Sequence, residues 1–175
     1  RKVIDENSLY FIADIGANHD GSFARAKKLI RLAKLSGANA AKFQHFDAST
    51  IVSDKGFKNL KSKTSHQDKW KKSVFEVYKS ASINKKWTKK LKSYCNKVGI
   101  EFMTSPYSIE ILNEINPYVN AIKIGSGDIT WIDIIKEIAK KKKVGILATG
   151  ASSLSEVSDA VKAYLKINTS FVLMQ

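Results

Sequence analysis

Short apolar segments alternate with amphipathic ones along almost the whole chain, and this alternation is what most constrains the fold. Strands are expected at 9–16 (LYFIADIG), 38–46 (ANAAKFQHF), 100–105 (IEFMTS), 120–125 (NAIKIG), 144–150 (VGILATG) and 170–175 (SFVLMQ). Helical periodicity predicts a helix over 22–36, with Phe23, Ala26, Ile30 and Ala33 on one stripe and Gly37 as its stop. A second is predicted over 69–80, inside a lysine-rich stretch. A third covers 85–97, capped by Asn84, with Trp87, Leu91, Tyr94 and Val98 facing inward before Gly99. Others cover 108–115, 131–141 and 153–166, the last opened by a Ser153/Glu156 capping box. Strand–helix repetition implies parallel strands with right-handed crossovers, either in an open doubly wound sheet or in a (β/α) barrel. In both, function gathers at the carboxyl ends of the strands. No Gly-x-Gly-x-x-Gly follows the first strand, which argues against a dinucleotide fold.

The 175 residues suffice for one domain with a real core, and 43% hydrophobic with 26% charged residues is ordinary for a soluble globular protein. No apolar run approaches a membrane span, and no charged-plus-apolar leader follows Arg1. The single cysteine, Cys95, fits a reducing compartment and reads as a core-facing helix residue, so a cytoplasmic protein without a membrane partner is expected. The net charge of +14 is concentrated between Lys55 and Lys92, where the acids are Asp68 and Glu76. Arginine is confined to Arg1, Arg25 and Arg31, whereas readers of bases and phosphates lean on its fork. The basic segment therefore reads as a solvated helix face, not a nucleic-acid surface. Its field could still steer an anionic small molecule.

Polar residues collect at five successive strand ends: Asp14, Asn18, His19 and Asp20; Lys42, Gln44 and His45; Thr104 and Ser105; Lys123, Ser126 and Asp128; and Thr149. Each has a plain structural reading. Asp14, Lys42 and Lys123 could sit in ion pairs, and His19 could be a turn residue. Jointly, lysines, hydroxyls and carboxylates suit a site for a small anion such as phosphate or carboxylate.

Four stretches, FIADIGANHDGSFARAKKLIRLAKLSGANAAKFQHF, TSPYS, AIKIGSGDIT and ILATGASSLSEV, resemble the N-acetylneuraminate (sialic acid) synthase family in order along nearly the whole chain. The resemblance implies a (β/α)8 TIM-barrel fold of α/β class. It implies condensation of phosphoenolpyruvate with an N-acylated amino sugar to give a nine-carbon 2-keto sugar acid and phosphate. Lys42, Ser105, Lys123 and Ser126 match positions that hold phosphoenolpyruvate, with Gln44 and Thr149 as further substrate-binding positions. Asp14 and Asp128 match acidic catalytic positions near the sugar and the attacking water, where many members carry glutamate. Such aspartates point to a shifted acceptor, and precursors of the legionaminate or pseudaminate type stand beside N-acetylmannosamine. Ala148 replaces a serine often found before Thr149.

The resemblance further implies a divalent metal, manganese or magnesium, with ligands outside this chain, and a homodimer in the full-length protein. Six strand segments against the eight of a barrel lead us to expect that residues 1–175 form part of the synthase domain. The later strands and a C-terminal antifreeze-like domain would lie outside it, leaving an exposed sheet edge and poor stability alone. Two other readings stand beside the synthase. One is a class I aldolase using Lys42 or Lys123 as a Schiff-base amine. The other is a non-catalytic anion- or nucleic-acid-binding module.

Overall fold

The computed structural model describes residues 8–59 and 70–175. Six strands, β1 (Ile12–Gly16), β2 (Ala40–His45), β3 (Glu101–Pro106), β4 (Ala121–Ile124), β5 (Val144–Ala148) and β6 (Phe171–Met174), form one parallel sheet in sequential order β1-β2-β3-β4-β5-β6. Each pair of neighbours is joined through helix: α1 (Phe23–Leu35); α2 (Ala48–Ile51), α3 (Asp54–Asn59), α4 (Val74–Ala81) and α5 (Thr88–Val98); α6 (Ile109–Ile115); α7 (Ile132–Lys140); and α8 (Leu154–Leu165). The unbroken strand order is that of a winding that never reverses, as in a barrel, and unlike a doubly wound sheet.

Strand alternation divides the core into two layers. Ile15, Ala41, Phe43, Phe102, Ile122, Ile124 and Leu147 point outward and pack with the buried stripes of the helices, including Ala26, Ile30, Leu91, Ile135 and Tyr164. Cys95 lies in this layer, fully buried, and burial pushes its thiol up to about 12, which suits an inert core residue. On the other face Ala40, Met103, Ala121 and Ile146 form a smaller apolar cluster. Further along that face, toward the carboxyl ends, the residue types turn polar. The apolar cluster thus acts as a floor beneath the site.

The helix termini follow local chemistry. Ser153 and Glu156 form the expected capping box, with Ser153 Oγ accepting from Glu156 N at 3.3 Å. Gly99 ends α5 in the left-handed conformation. Asn84 caps a single 3-10 turn, Lys85–Trp87, that continues directly into α5. The helix expected over 69–80 begins instead at Val74, because Ser73 and Glu76 build a capping box there; position 69 lies outside the described residues. The short helices α2 and α3 were not anticipated. Asp47 nucleates α2 by accepting from Ser49 N at 3.0 Å. Gly145 lets α8 sit close to the sheet: a Cβ there would lie 2.5 Å from Tyr164 Cζ. Among the described residues no helix is long and apolar enough to cross a membrane.

Candidate functional site

Parallel register brings the strand ends level. Asp14 pairs with Lys42 across β1 and β2, and Gln44 with Ser105 across β2 and β3. Thr104 pairs with Ile122 across β3 and β4. Their successors Ser105 and Lys123 therefore both turn to the opposite, inner face. A cavity of about 340 Å³ opens there, lined by Asp14, Lys42, Gln44, Ser105, Lys123, Ser126 and Asp128, together with Tyr107 and the glycines flanking Ser126. Of the eight residues that the resemblance gives catalytic or substrate-binding positions, seven share this one space.

Thr149 does not line it. Its hydroxyl donates to Gln175 Oε1 at 2.6 Å, at the end of β6. The chain at Ser152 instead reaches the site by hydrogen-bonding the Ser126 carbonyl at 3.4 Å. Other strand-end polar residues are also sorted away by the alternation. His45 is buried on the helix-facing side, between the hydroxyls of Thr104 at 2.8 Å and Thr88 at 2.9 Å. Burial, with the nearby His19, pushes its imidazole down to about 3. His19 is buried in the β1–α1 turn, accepting from Gly21 N at 3.1 Å and packed edge-on to Trp87. Asp20 pairs with Arg25 on the surface.

Lys42 is enclosed, with 4% of its side chain exposed, and its ammonium meets Asp14 Oδ1 at 2.8 Å. Lys123 is half-buried, and among the described residues it has no carboxylate within ion-pair distance. Burial lowers its ammonium pKa and the Lys42 charge lowers it further, only partly offset by Asp14 and Asp128. Burial raises the Asp128 carboxyl, against the pull of Lys123. The cavity therefore holds a cation whose charge is incompletely balanced, and an anion entering it would relieve that cost.

Glycines shape two edges. Gly16 has φ +53°, and a Cβ there would come within 3.2 Å of Gln44 Oε1 and 3.3 Å of Asp14 Oδ1. The register slips between Asp14 and Gly16, which re-aims the Asp14 carboxylate. Gly125 leaves room for Asp128, whose Oδ2 would lie 3.1 Å from a Cβ.

Tyr107 escaped the sequence reading although it stands in the TSPYS stretch. Its hydroxyl accepts from Gln44 Nε2 at 2.9 Å, and burial followed by the Asp128 charge raises its pKa. It also borders a second, larger cavity of about 590 Å³ with Gln44 and Asp128 in the shared wall. Its lining also includes four rings, Phe46, Trp70, Tyr78 and Trp131. A divalent metal is not accommodated by this set. Among the described residues no three His, Cys, Asp or Glu side chains come together as a cation site.

Comparison with known proteins bears on this geometry. The NeuB family model matches residues 29–175. The N,N'-diacetyllegionaminic acid synthase of Campylobacter jejuni is 36% identical over 159 residues, covering 89% of this chain and 46% of that protein. The human N-acetylneuraminate-9-phosphate synthase is 29% identical over 178 residues, covering 100% of this chain and 48% of its own. The crystal structure of the sialic acid synthetase of Leptospira borgpetersenii, in complex with citrate, superposes with a TM-score of 0.82 at 28% identity, over 95% of this chain and 53% of that one. The chain thus spans about half the length of these relatives.

Proposed function

Since this chain belongs to the NeuB family, we propose that it carries the phosphoenolpyruvate-binding half of a nonulosonate synthase active site. The reaction joins phosphoenolpyruvate to an N-acylated amino sugar and releases phosphate. The observation that carries this reading is Lys123. It is a half-buried ammonium with no carboxylate at ion-pair distance among the described residues, beside an enclosed Lys42, in a cavity with two serines.

Phosphoenolpyruvate has two anionic groups and fits such a lining. Lys42 and Lys123 supply charge-assisted donors, and the Ser105 and Ser126 hydroxyls complete the set. With its phosphate and carboxylate held, C3 of the enol attacks the aldehyde carbon of the open-chain sugar, and the aldehyde oxygen takes up a proton. Water adds at C2, and the tetrahedral intermediate loses phosphate by C–O cleavage. Asp128, with its carboxyl pushed up, is suited to hold a proton near that centre, and Asp14 to orient a water. In this reading the sheet closes into a (β/α)8 barrel in a homodimeric, cytoplasmic protein.

Phosphate release from phosphoenolpyruvate tests the proposal, using the longest reading frame that carries this sequence, manganese, and a panel of N-acylated amino sugars. Release that depends on one sugar is expected. A folded protein that releases none with any sugar would reject the chemistry for those acceptors. The lowered ammonium pKa of Lys123 also suits a Schiff-base aldolase. Borohydride trapping separates the two, because the synthase forms no imine.

A further inference from the structure

His45 does not line the anion cavity, yet its ring joins the two strands that present Gln44 and Ser105 there. Gln44 and Ser105 are register partners on the inner face, and His45 and Thr104 are their chain neighbours on the outer face. The bond between His45 Nδ1 and Thr104 Oγ1, 2.8 Å long, therefore crosses from β2 to β3 directly behind that pair. The bond between Nε2 and Thr88 Oγ1, at 2.9 Å, ties the same ring to the first residue of α5. All three side chains are buried. Phe102 meets the imidazole edge-on, 6.3 Å away between centroids, which fixes the plane of the ring. Burial holds the imidazole neutral, so at each nitrogen the ring and the hydroxyl take complementary donor and acceptor roles.

The end of β3 has need of such a tie. Glu101 N donates to the Asn39 carbonyl at 2.9 Å and Tyr107 N to the His45 carbonyl at 3.1 Å, so the odd-numbered backbone donors of β3 face β2. The same alternation aims position 106 at β4, and Pro106 has no N–H to give. The register of β3 with β4 is fixed at Thr104 and Ile122, before Ser105 is reached. Ser105 thus sits at a strand end anchored toward β2, and the bond from His45 to Thr104 reinforces that side.

We propose that His45 is a positioning residue for phosphoenolpyruvate binding: by bridging Thr104 and Thr88 on the helix-facing side of the sheet, it holds the end of β3 so that the Ser105 hydroxyl meets the ligand's oxygens together with Lys42. The inference rests on the synthase reading above. The two arms of the bridge have separable effects. The arm to Thr104 acts on Ser105, its neighbour in β3, and the arm to Thr88 seats α5.

The test uses the longest reading frame and reads the phosphoenolpyruvate Kd by isothermal titration beside the melting temperature. Thr104→Val and Thr88→Val each keep the side chain's shape and leave one nitrogen of His45 without its hydroxyl, so both should lower the melting temperature. Thr104→Val should also weaken phosphoenolpyruvate by about tenfold, the scale of one hydrogen bond to a charged group, while Thr88→Val stays within about twofold of the parent. Thr104→Ser, which keeps the hydroxyl, should restore the affinity while remaining less stable than the parent. Equal loss of affinity in the two valine variants, or none in Thr104→Val, would overturn the inference. Should Thr104→Val not fold, His45→Gln replaces it: the amide reaches the place of Nε2, keeps Thr88 and releases Thr104, and the same loss is expected. If the parent binds no phosphoenolpyruvate, the synthase reading fails, and crystal structures of the variants beside the parent judge the bridge alone. Ser105 displaced relative to Lys42 in Thr104→Val, or in His45→Gln in its place, and not in Thr88→Val sustains it. Ser105 moved alike in both, or in neither, refutes it.

Discussion

Lys42 and Asp14 meet at 2.8 Å across the β1–β2 register, one enclosed at 4% exposure and the other open to solvent at 66%. The asymmetry means that the ammonium bears most of the desolvation while its partner stays hydrated. An arriving anion can therefore replace Asp14 as the partner of Lys42 without stranding a buried carboxylate.

Lys42→Met follows from that geometry. It removes a buried charge, fills a similar volume, and leaves Asp14 in water. Thermal stability should be unchanged or higher, while phosphoenolpyruvate affinity should fall by about 10- to 100-fold, from ~1.5–3 kcal/mol for a hydrogen bond to a charged group. Differential scanning calorimetry and isothermal titration give both quantities. A marked loss of stability with unchanged affinity would assign Lys42 a purely structural role.

Asp128 has a raised carboxyl pKa because folding buries it. The folded state therefore holds this proton more tightly than the unfolded chain. The contribution to stability is greatest below the ordinary carboxylate pKa and is lost as pH rises through the raised one. Asp128→Asn should remove that loss, so the variant should melt at or above the parent temperature at pH 7 and show a flatter stability profile over the carboxylate range. Activity should fall sharply in the same variant. Melting temperatures across that range check the sign, and a steeper profile in the variant would contradict it.

His45 behaves in the opposite sense. Its imidazole is held down to about 3 by burial, chiefly, and by His19. The unfolded chain binds this proton first, so stability is full above the ordinary histidine pKa and erodes as pH falls from there toward 3. NMR of the ring should show a neutral imidazole well below pH 6. A ring that titrates near pH 6.5 in the folded protein would be incompatible with the Thr88–His45–Thr104 arrangement.

Gly145→Ala probes the seat of α8. The added Cβ would fall 2.5 Å from Tyr164 Cζ and 2.6 Å from its hydroxyl, which donates to the Lys143 carbonyl at 3.0 Å. Tyr164 is fully buried and cannot swing aside cheaply. The cost should be about 1–3 kcal/mol, the usual range for overpacking, read from urea unfolding. A change near zero would mean that β5 and α8 are less tightly joined than the geometry indicates.

The order of elements was legible in the sequence because the two periodicities, of strand and helix, are local properties written in neighbouring residues. So were the types of residue at the strand ends, including Lys42 and Lys123 where a packed strand would carry apolar groups. The assembly of those residues was decided by tertiary structure. Register carries Gln44 beside Ser105 and Asp14 beside Lys42, and the two faces of each strand separate Lys42 and Gln44 from His45, although all three stand together in the chain. Thr149 occupies a strand end yet turns to Gln175, a contact that no local pattern encodes. The aromatic chamber was the least legible part. Phe46 and Tyr78 stand far apart in the long β2–β3 connection and Trp131 in the β4–β5 connection, and each alone reads as an ordinary ring on a helix or loop. Only long-range packing of the connections over the carboxyl ends of the strands brings them to one wall.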